Sequence, residues 1–132
     1  MHVTYTRTNA EISKDNAVTG VVDGDDLADI PDNLFSLRLG LESDSGWDNH
    51  LVVKYMDETC VSVGCDRVAD PFGETESLLV ADLISRYALT DRAVVFAKVE
   101  NLFDEQVIVA RTPDGARPNK PRTGFVGIEF SL

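Results

Sequence analysis

The sequence predicts an all-β fold, an antiparallel up-and-down meander of about six strands. Three observations support this prediction: about six segments alternate between apolar and polar residues, each is about ten residues long, and the connections between them alternate between short and long. A period of two places successive side chains on opposite faces of a strand. No segment sustains the period of a helix over three turns, so we expect strands rather than helices.

The first three segments cover residues 2–12, 33–43 and 47–56. The first is rich in Thr and Tyr, which are common on pleated surfaces. In the second and third, apolar side chains gather on one face and mostly polar or glycine residues on the other. The apolar members are Phe35, Leu37, Leu39 and Leu41, then Trp47, Leu51, Val53 and Tyr55. These two segments therefore predict strands with one apolar face.

The last three segments cover residues 76–89, 93–103 and 124–132, and they show the same alternation. Their apolar faces hold Leu79, Ala81, Leu83, Tyr87 and Leu89, then Val95, Ala97 and Val99, and finally Gly124, Val126, Ile128, Phe130 and Leu132. Strands of about ten residues are longer than the usual five or six of globular proteins. They match the length that a tilted strand needs to cross a bilayer.

The connections are of two kinds. Residues 43–46 and 90–92 are short enough for tight hairpin turns. Residues 13–32, 57–74 and 104–121 form long loops, and long loops gathered at one end are typical of transmembrane β-barrels. The sequence therefore predicts part of a larger transmembrane β-barrel, with the polar faces toward its lumen. In isolation, such a piece would be an open or curled sheet that self-associates.

A soluble β-sandwich that serves as a binding module is the alternative, because it would show the same alternation with one face on a core and the other in water. Three features together favour the barrel over the sandwich: the length of the strands, the placement of the long loops and the strand that closes the chain. The two alternatives differ in their need for detergent.

The composition argues against several classes of protein. The apolar runs are far shorter than the roughly 18 residues of a spanning helix. Twelve Lys and Arg residues against 23 Asp and Glu residues give a formal net charge of -11, which would repel the phosphates of nucleic acids. The first residues lack the pattern of a secretory signal and read like the middle of a strand, so we expect a piece of a longer protein.

Two cysteines lie close together in the second long loop, at Cys60 and Cys65. They are either a pair of free thiols or a local disulfide formed in an oxidising compartment. Zinc would need further ligands, and the two histidines, His2 and His50, are distant in sequence. We therefore expect no metal site here.

The stretch DGDDLAD, residues 23–29, gathers carboxylates of the kind that calcium prefers. Leu27 and Ala28 stand where an EF-hand loop would need a ligand and its turn glycine, so we expect an acidic, solvated loop instead.

Another charged set shares one face of two adjacent predicted strands: Asp82, Arg86, Lys98 and Glu100. Opposite charges in such positions are expected to pair across the ladder. No nucleophile stands beside a base in a plausible catalytic arrangement. We therefore expect that the protein is not an enzyme.

The last third, VENLFDEQVIVARTPDGARPNKPRTGFVGIEFSL, resembles the C-terminal end of TonB-dependent outer-membrane receptors. That end typically has an Asn-Leu-Phe-Asp segment, a loop with Gly and Pro-Arg, and an alternating final strand. The matching residues are Asn101, Leu102, Phe103, Asp104, Gly115, Pro121, Arg122 and, in the final strand, Phe130. Upstream, YTRTNAEI and DIPDNLFSLRLGLES also resemble late barrel strands of this family, so the resemblance covers nearly the whole chain.

The resemblance implies that residues 1–132 are a part of such a receptor's barrel, without its plug domain, in the outer membrane of a Gram-negative bacterium. These receptors import ferric siderophores or similar nutrients and are energised through TonB by way of the plug. The expected partners are outer-membrane lipid, the rest of the barrel, the plug and a ferric chelate. The look of the last loop suggests a ferric citrate-like subfamily, and no cofactor is expected.

The last long loop is rich in cations, at Arg111, Arg117, Lys120 and Arg122. In a receptor, the first three could attract an anionic ferric chelate. The alternative is that these three are ordinary surface charges and that Arg122, with its proline, belongs to the architecture of the loop. We favour the alternative, since charged residues are common on every protein surface.

Overall fold

The computed structural model describes residues 1–18, 20–65, 70, 72–113 and 115–131. In chain order the strands are β1 (His2–Arg7), β2 (Asn33–Glu42), β3 (Trp47–Met56), β4 (Leu78–Thr90), β5 (Ala93–Glu100), β6 (Ile108–Ala110), β7 (Arg117–Pro118) and β8 (Thr123–Phe130). Leu132, which we placed on the apolar face of the final strand, lies outside the described residues.

Six strands form one antiparallel sheet in the order β1-β2-β3-β4-β5-β8, and β6 pairs with β7 in a separate hairpin. The predicted meander is therefore confirmed, with the sixth segment as β8. Two details differ from the sequence prediction. β1 ends at Arg7 rather than near residue 12, and the β6–β7 hairpin lies inside the last long loop, where no strand was expected.

The register between strands puts the predicted apolar positions on one face. Leu37 lies opposite Val53, and Val53 lies opposite Ala81. The residue pairs on either side of this row keep the same register across the three strands. We call this side the apolar face and the other side the opposite face. The members predicted for the apolar face within the described residues are confirmed, because side chains in one row of a ladder share a face.

Most of the apolar face is not covered by the rest of the chain. Among the described residues, the buried hydrophobic positions are Cys60, Cys65 and Ala81, and only the last belongs to the sheet. Phe130 is 71% exposed and Val126 is 81% exposed. A sandwich needs a second sheet packed about 10 Å away over this face, whereas the described strands form a single open layer with β1 and β8 as its edges.

Aromatic side chains mark both ends of the apolar face. At the short-turn end, the rings of Trp47 and Tyr87 lie 4.7 Å apart between centroids. At the long-loop end, the Tyr5 hydroxyl donates to Asn33, at 2.7 Å. The Tyr55 hydroxyl donates to Asp57 over the same distance. Aromatic rings therefore lie at both ends of the apolar face, as the sequence predicted for an interfacial girdle, and at the long-loop end their hydroxyl groups are hydrogen-bonded.

On the opposite face, two glycines leave room for a ring from the next strand. A Cβ atom at Gly127 would stand 2.6 Å from the Phe96 ring, and one at Gly40 would stand 2.9 Å from the His50 ring. Both rings therefore lie close against the neighbouring backbone, and any larger residue at these glycines would displace them. In the part of the chain that the structure describes, no helix is long and apolar enough to cross a membrane.

The exposed apolar face predicts self-association in water. At about 25 cal/mol per Å², covering several hundred Å² of this face contributes on the order of 10 kcal/mol. Light scattering on detergent-free protein is expected to show oligomers, and neutral detergent is expected to return monomers. Leu39→Glu places a charge on this face and should weaken the association.

The matched control is Ser36→Glu, which adds the same charge to the same strand but on the opposite face. Ser36 lies three positions before Leu39 on the same strand, and its substitution should leave the association nearly unchanged. A chain that stays monomeric without detergent and keeps its strand content with Leu39→Glu would show that the apolar face needs no cover.

A second prediction concerns pH at the long-loop end of the apolar face. Hydrogen bonds from the Tyr55 hydroxyl and then the Asn33 amide lower the pKa of Asp57. Because folding lowers this pKa, the stabilisation is present above the unfolded-state value of about 3.9 and is lost as the pH falls through the folded value. Tyr55→Phe should raise the Asp57 midpoint in a carbon-13 NMR titration. Tyr5→Phe should leave this midpoint unchanged, because the Tyr5 hydroxyl bonds Asn33 rather than Asp57. Equal midpoints in the two variants would contradict the role given to Tyr55.

Candidate functional site

Three long connections lie at the same end of the sheet, and we call them loop A (residues 8–32), loop B (57–77) and loop C (101–122). Loop A contacts loop B through the backbone: Asp29 N–H donates to the Cys60 carbonyl at 2.8 Å, and Gly64 N–H donates to Asp26 at 3.2 Å. Loop B therefore supports loop A through hydrogen bonds that need no particular side chains.

Loop B also contacts loop C. Glu76 and Ile108 exchange two bonds: the Glu76 N–H donates to the Ile108 carbonyl at 2.8 Å, and the Ile108 N–H donates to the Glu76 carboxylate at 2.6 Å. The Arg111 guanidinium adds a third bond, to the Glu74 carbonyl at 2.7 Å. These contacts thus join the described parts of the three loops into one cluster with loop B in the middle.

Loop B is closed on itself by buried groups. The structure joins Cys60 and Cys65 in a disulfide with a Cα–Cα distance of 5.6 Å, and both residues are buried. The hydroxyl of Thr75 accepts the Thr59 N–H at 2.9 Å. The Glu74 carboxylate comes close to the two sulfur atoms, but sulfurs bonded to each other are not the thiolates that zinc would need.

The acidic stretch of loop A is more ordered than a solvated loop. Asp25 is only 2% exposed. Its carboxylate accepts the Val22 N–H at 2.7 Å, and its carbonyl accepts the Ile12 N–H at 2.8 Å. The expectation of a solvated loop is therefore wrong for Asp25, because this side chain holds the turn of the loop together.

Asn101 begins loop C as a buried centre of hydrogen bonds. The side chain is 4% exposed, and the residue has a φ of 52°, which asparagine tolerates better than most residues. Its amide donates to the carbonyls of Glu105 at 2.8 Å and Lys120 at 2.9 Å, and its oxygen accepts the Glu105 N–H at 3.0 Å. Its backbone N–H donates to Asp82 at 3.0 Å. One residue thus joins both ends of loop C to strand β4.

Asp104 closes the same turn from its other side. Its N–H donates to the Asn101 carbonyl at 2.9 Å, and its carboxylate accepts the Arg122 N–H at 2.9 Å. The Arg122 guanidinium lies 3.9 Å from that carboxylate. The structure therefore brings together three of the residues that carry the family resemblance, and all three act in the architecture of the loop.

The other residues of that motif lie around or beyond this turn. Leu102 donates its N–H to the Ala81 carbonyl at 2.7 Å, and Pro121 accepts from the Thr123 hydroxyl at 3.0 Å. Gly115 has a φ of 101°. Phe103 is 74% exposed at the tip of the turn, and Phe130 lies at the far end of the sheet, opposite Ala93.

The cations considered as ligand contacts all have partners within the chain. Arg111 bonds loop B and lies 5.6 Å from the centroid of the Phe72 ring. Arg117 donates to the Thr112 carbonyl. Lys120 contacts the Glu100 carboxylate and lies 5.2 Å from the centroid of the Phe125 ring. Each of the three cations thus contacts groups of the chain itself, and a role of any of them in attracting a ligand stays a prediction.

The charges on the opposite face pair differently from the sequence expectation. Asp82 accepts from Lys54 on β3 at 3.3 Å, and Arg86 reaches Glu129 on β8 at 2.9 Å. The remaining pair, Lys98 and Glu100, lies within strand β5. None of these contacts joins two of the four residues directly across the β4–β5 ladder, because Arg86 reaches a residue outside the set and Lys98 pairs within its own strand.

Two adjoining cavities lie on the opposite face beside the loops. The first, of about 430 Å³, is lined by a row of apolar side chains at the strand ends, Leu34, Met56, Leu78 and Val80, and by Lys54. The second, of about 260 Å³, shares Lys54, Leu78 and Val80 with it and adds Lys120, two asparagines and the carboxylates of Asp82 and Glu100. This apolar patch was missed from the sequence, although Leu34, Met56 and Leu78 visibly interrupt the alternation of their segments.

No family model matches the chain, and no curated protein matches it. The described sheet is that of a β-barrel fragment, and solved structures share it. The chain is similar to the ferric-catecholate import receptor Fiu of E. coli K12 in its closed form, with a TM-score of 0.76 and 24% identity over 97% of this chain. The open form of Fiu gives a TM-score of 0.64 and 23% identity over 76% of this chain.

The chain spans 18% of the length of the closed Fiu chain and 15% of the open one. At these identities the match shows a shared fold. It does not confirm the ferric citrate-like expectation, which stays a prediction.

Removing the Asn101 side chain is expected to destabilise the chain. Asn101→Ala leaves buried carbonyls without donors. It also places at positive φ a residue whose side chain cannot form hydrogen bonds, so the free energy of unfolding should fall by about 2–4 kcal/mol. Asn101→Gly relieves the backbone but still loses the hydrogen bonds, so it should recover only part of this loss. Denaturant unfolding in detergent micelles measures both. Phe103→Ala is the control, and a loss for Asn101→Ala no larger than that of the control would contradict the role of the side chain.

Because the two cysteines form a disulfide, the mass of the alkylated protein should depend on whether it was first reduced. Intact-mass analysis after alkylation should show no modified thiols in non-reduced protein and two after reduction. Because the disulfide encloses only a short loop, its removal should affect global stability less than that of a long-range disulfide. Two freely alkylated thiols in protein made in an oxidising compartment would contradict the pairing.

Proposed function

We propose that the chain is part of the transmembrane barrel of an outer-membrane receptor that imports a ferric siderophore or a similar nutrient. The observation that carries the proposal is the exposed apolar face of strands eight to thirteen residues long in β2 to β5 and β8. A soluble protein would hide such a face. In a bilayer this face would contact hydrocarbon. The backbone N–H and C=O groups of the strands would be hydrogen-bonded to neighbouring strands there.

The arrangement of loops supports a receptor rather than a simple pore. Three long loops at one end bond to one another, whereas the other end has tight turns. An outer surface of ordered loops suits the recognition of a ligand, since binding residues are often carried by loops on a rigid scaffold. The chain shares the fold of Fiu over 97% of the chain's length, and Fiu is an import receptor rather than an enzyme.

The remaining partners of the proposed receptor follow from its class. Outer-membrane lipid would cover the apolar face, and other strands would pair with the free edges of β1 and β8. A plug domain would occupy the lumen and would receive energy through TonB. The ligand would be a ferric chelate, which enters from the loop side.

Fluorescence from the single tryptophan tests the membrane part of this proposal. Trp47 lies on the apolar face near the short turns, and the sequence has one tryptophan. In vesicles, lipids brominated on their chains should quench its emission strongly, and aqueous acrylamide should quench it weakly. The reverse pattern, or a chain that stays soluble and monomeric without lipid, would overturn the proposal.

A chimera tests the import part. The chain replaces the matching segment of Fiu, and cells that lack their own receptor are supplied with a ferric catecholate as the iron source. Uptake that requires TonB is expected, and a chimera with Leu39→Glu should assemble poorly. A chimera that reaches the outer membrane with intact loops but imports nothing would count against a role in import.

The isolated chain is not expected to transport. Six strands of a larger barrel form an open sheet with two unpaired edges, so no closed lumen exists. Liposomes that contain only this chain should take up ferric siderophore no faster than empty liposomes. Faster uptake would show that the chain closes a channel on its own.

A further inference from the structure

We infer that loop B carries a latent site for a thiophilic divalent cation, of the Zn²⁺ or Cd²⁺ type, which becomes available when its disulfide is reduced. The ligands are the Sγ atoms of Cys60 and Cys65 and a carboxylate oxygen of Glu74. These three side chains bring ligand atoms within 4.8 Å of one another, and no other three His, Cys, Asp or Glu side chains in the described part of the chain do so. The inference concerns loop B and does not depend on the proposed import function.

Backbone pairing holds the carboxylate beside the sulfur atoms. Cys60 and Glu74 stand opposite each other in an isolated antiparallel bridge. The residues beside them exchange two bonds: the Thr75 N–H donates to the Thr59 carbonyl, and the Thr59 N–H donates to the Thr75 hydroxyl, each at 2.9 Å. Arg111 bonds the Glu74 backbone carbonyl. Because none of these bonds uses a sulfur atom or the Glu74 carboxylate, opening the disulfide should leave that carboxylate beside Cys60.

The donor set suits a thiophilic metal ion. Residues 61–64 separate the two cysteines, a spacing that occurs between paired cysteine ligands of zinc sites. The Sγ atom of Cys65 lies 3.8 Å from Oε1 of Glu74, which is close to the separation of two ligands around one tetrahedral ion. A phosphine or dithiol reductant supplies two electrons to the disulfide, and the two sulfur atoms take up two protons. The metal ion displaces both protons when it binds the thiolates.

A cavity of about 170 Å³ between loops A and B gives a cation access to the site, because Cys60 and Glu74 lie in its wall. The other charged side chains that line this cavity in the described chain are all carboxylates: Asp26, Asp32, Asp57 and Glu58. Clustered negative charge raises the local concentration of cations. The cavity also provides space for the water molecule that would complete a tetrahedral shell around the ion.

Cadmium absorption tests the site directly. The chain is held in neutral micelles, reduced with a phosphine and titrated with Cd²⁺, whose bonds to thiolates absorb in the ultraviolet. The reduced chain should develop this absorption and saturate at one Cd²⁺ per chain, whereas the non-reduced chain should develop none. A large excess of Ca²⁺ should not displace the cadmium, because hard cations prefer oxygen ligands to thiolates.

Matched variants separate the ligands from the charge around them. Glu74→Gln removes a ligand and should raise the Cd²⁺ concentration for half-saturation by about tenfold or more. Glu58→Gln removes the same charge from the wall of the cavity but no ligand, so its effect should be much smaller. The double variant Cys60→Ser with Cys65→Ser should lose the absorption. If this variant does not fold, alkylation of the reduced natural chain blocks both sulfur atoms and takes its place.

Four results would count against the site. Absence of cadmium absorption in the reduced chain, or displacement of the cadmium by Ca²⁺, would show that the sulfur atoms do not hold the ion. Equal losses for Glu74→Gln and Glu58→Gln would remove Glu74 from the ligands. Saturation at one Cd²⁺ for two chains would show that two copies share the ion and would overturn a site within one loop B. None of these results would affect the quenching of Trp47 by brominated lipid, which tests the barrel assignment alone.

Discussion

Backbone pairing between neighbouring strands is the interaction on which the rest of this structure depends. The sheet is one layer thick, so no core of packed side chains holds its strands in place. The ladder from β2 to β3 runs without a break from Leu34 to Glu42, and an irregularity in the sheet occurs between Ala88 and Thr90, near a turn. A shift of one residue anywhere would carry apolar side chains to the opposite face. The register therefore decides which side chains lie on the apolar face and which lie on the opposite face.

The strands of the sheet could be predicted from the sequence because their two faces lie in different surroundings, which imposes a period of two on the residues. The period of two led to a wrong prediction where the chain leaves the sheet and enters a loop. Residues 8–12 continue the alternation of the first segment, but Thr8 and Ile12 bond Asp32 and Asp25 inside loop A. β6 and β7 are too short to show a period, and the bonds beside them, from Val107 to Asn119 and from Ile108 to Glu76, join residues distant in sequence.

The candidate site could be located but not described from sequence. The Asn-Leu-Phe-Asp segment was found as a motif, yet the partners of Asn101 include the Lys120 carbonyl, nineteen positions away, and no local pattern reveals such a pair. The cations of loop C were visible as charges, but their contacts depend on how the loops fold against one another. The apolar patch was missed for a related reason: its members come from the ends of three strands, and only the register places them in one row.

The central position of loop B affects how the long-loop end of the sheet moves. Loop A and loop C each bond loop B, and the disulfide and the buried threonines tie together the described parts of loop B. Separate loops would open and close independently, each with its own small free energy. Loops that share a common support behave as one cooperative unit, so the cluster opens rarely but as a whole. A ligand that binds loop C would then change the order of loop A without touching it.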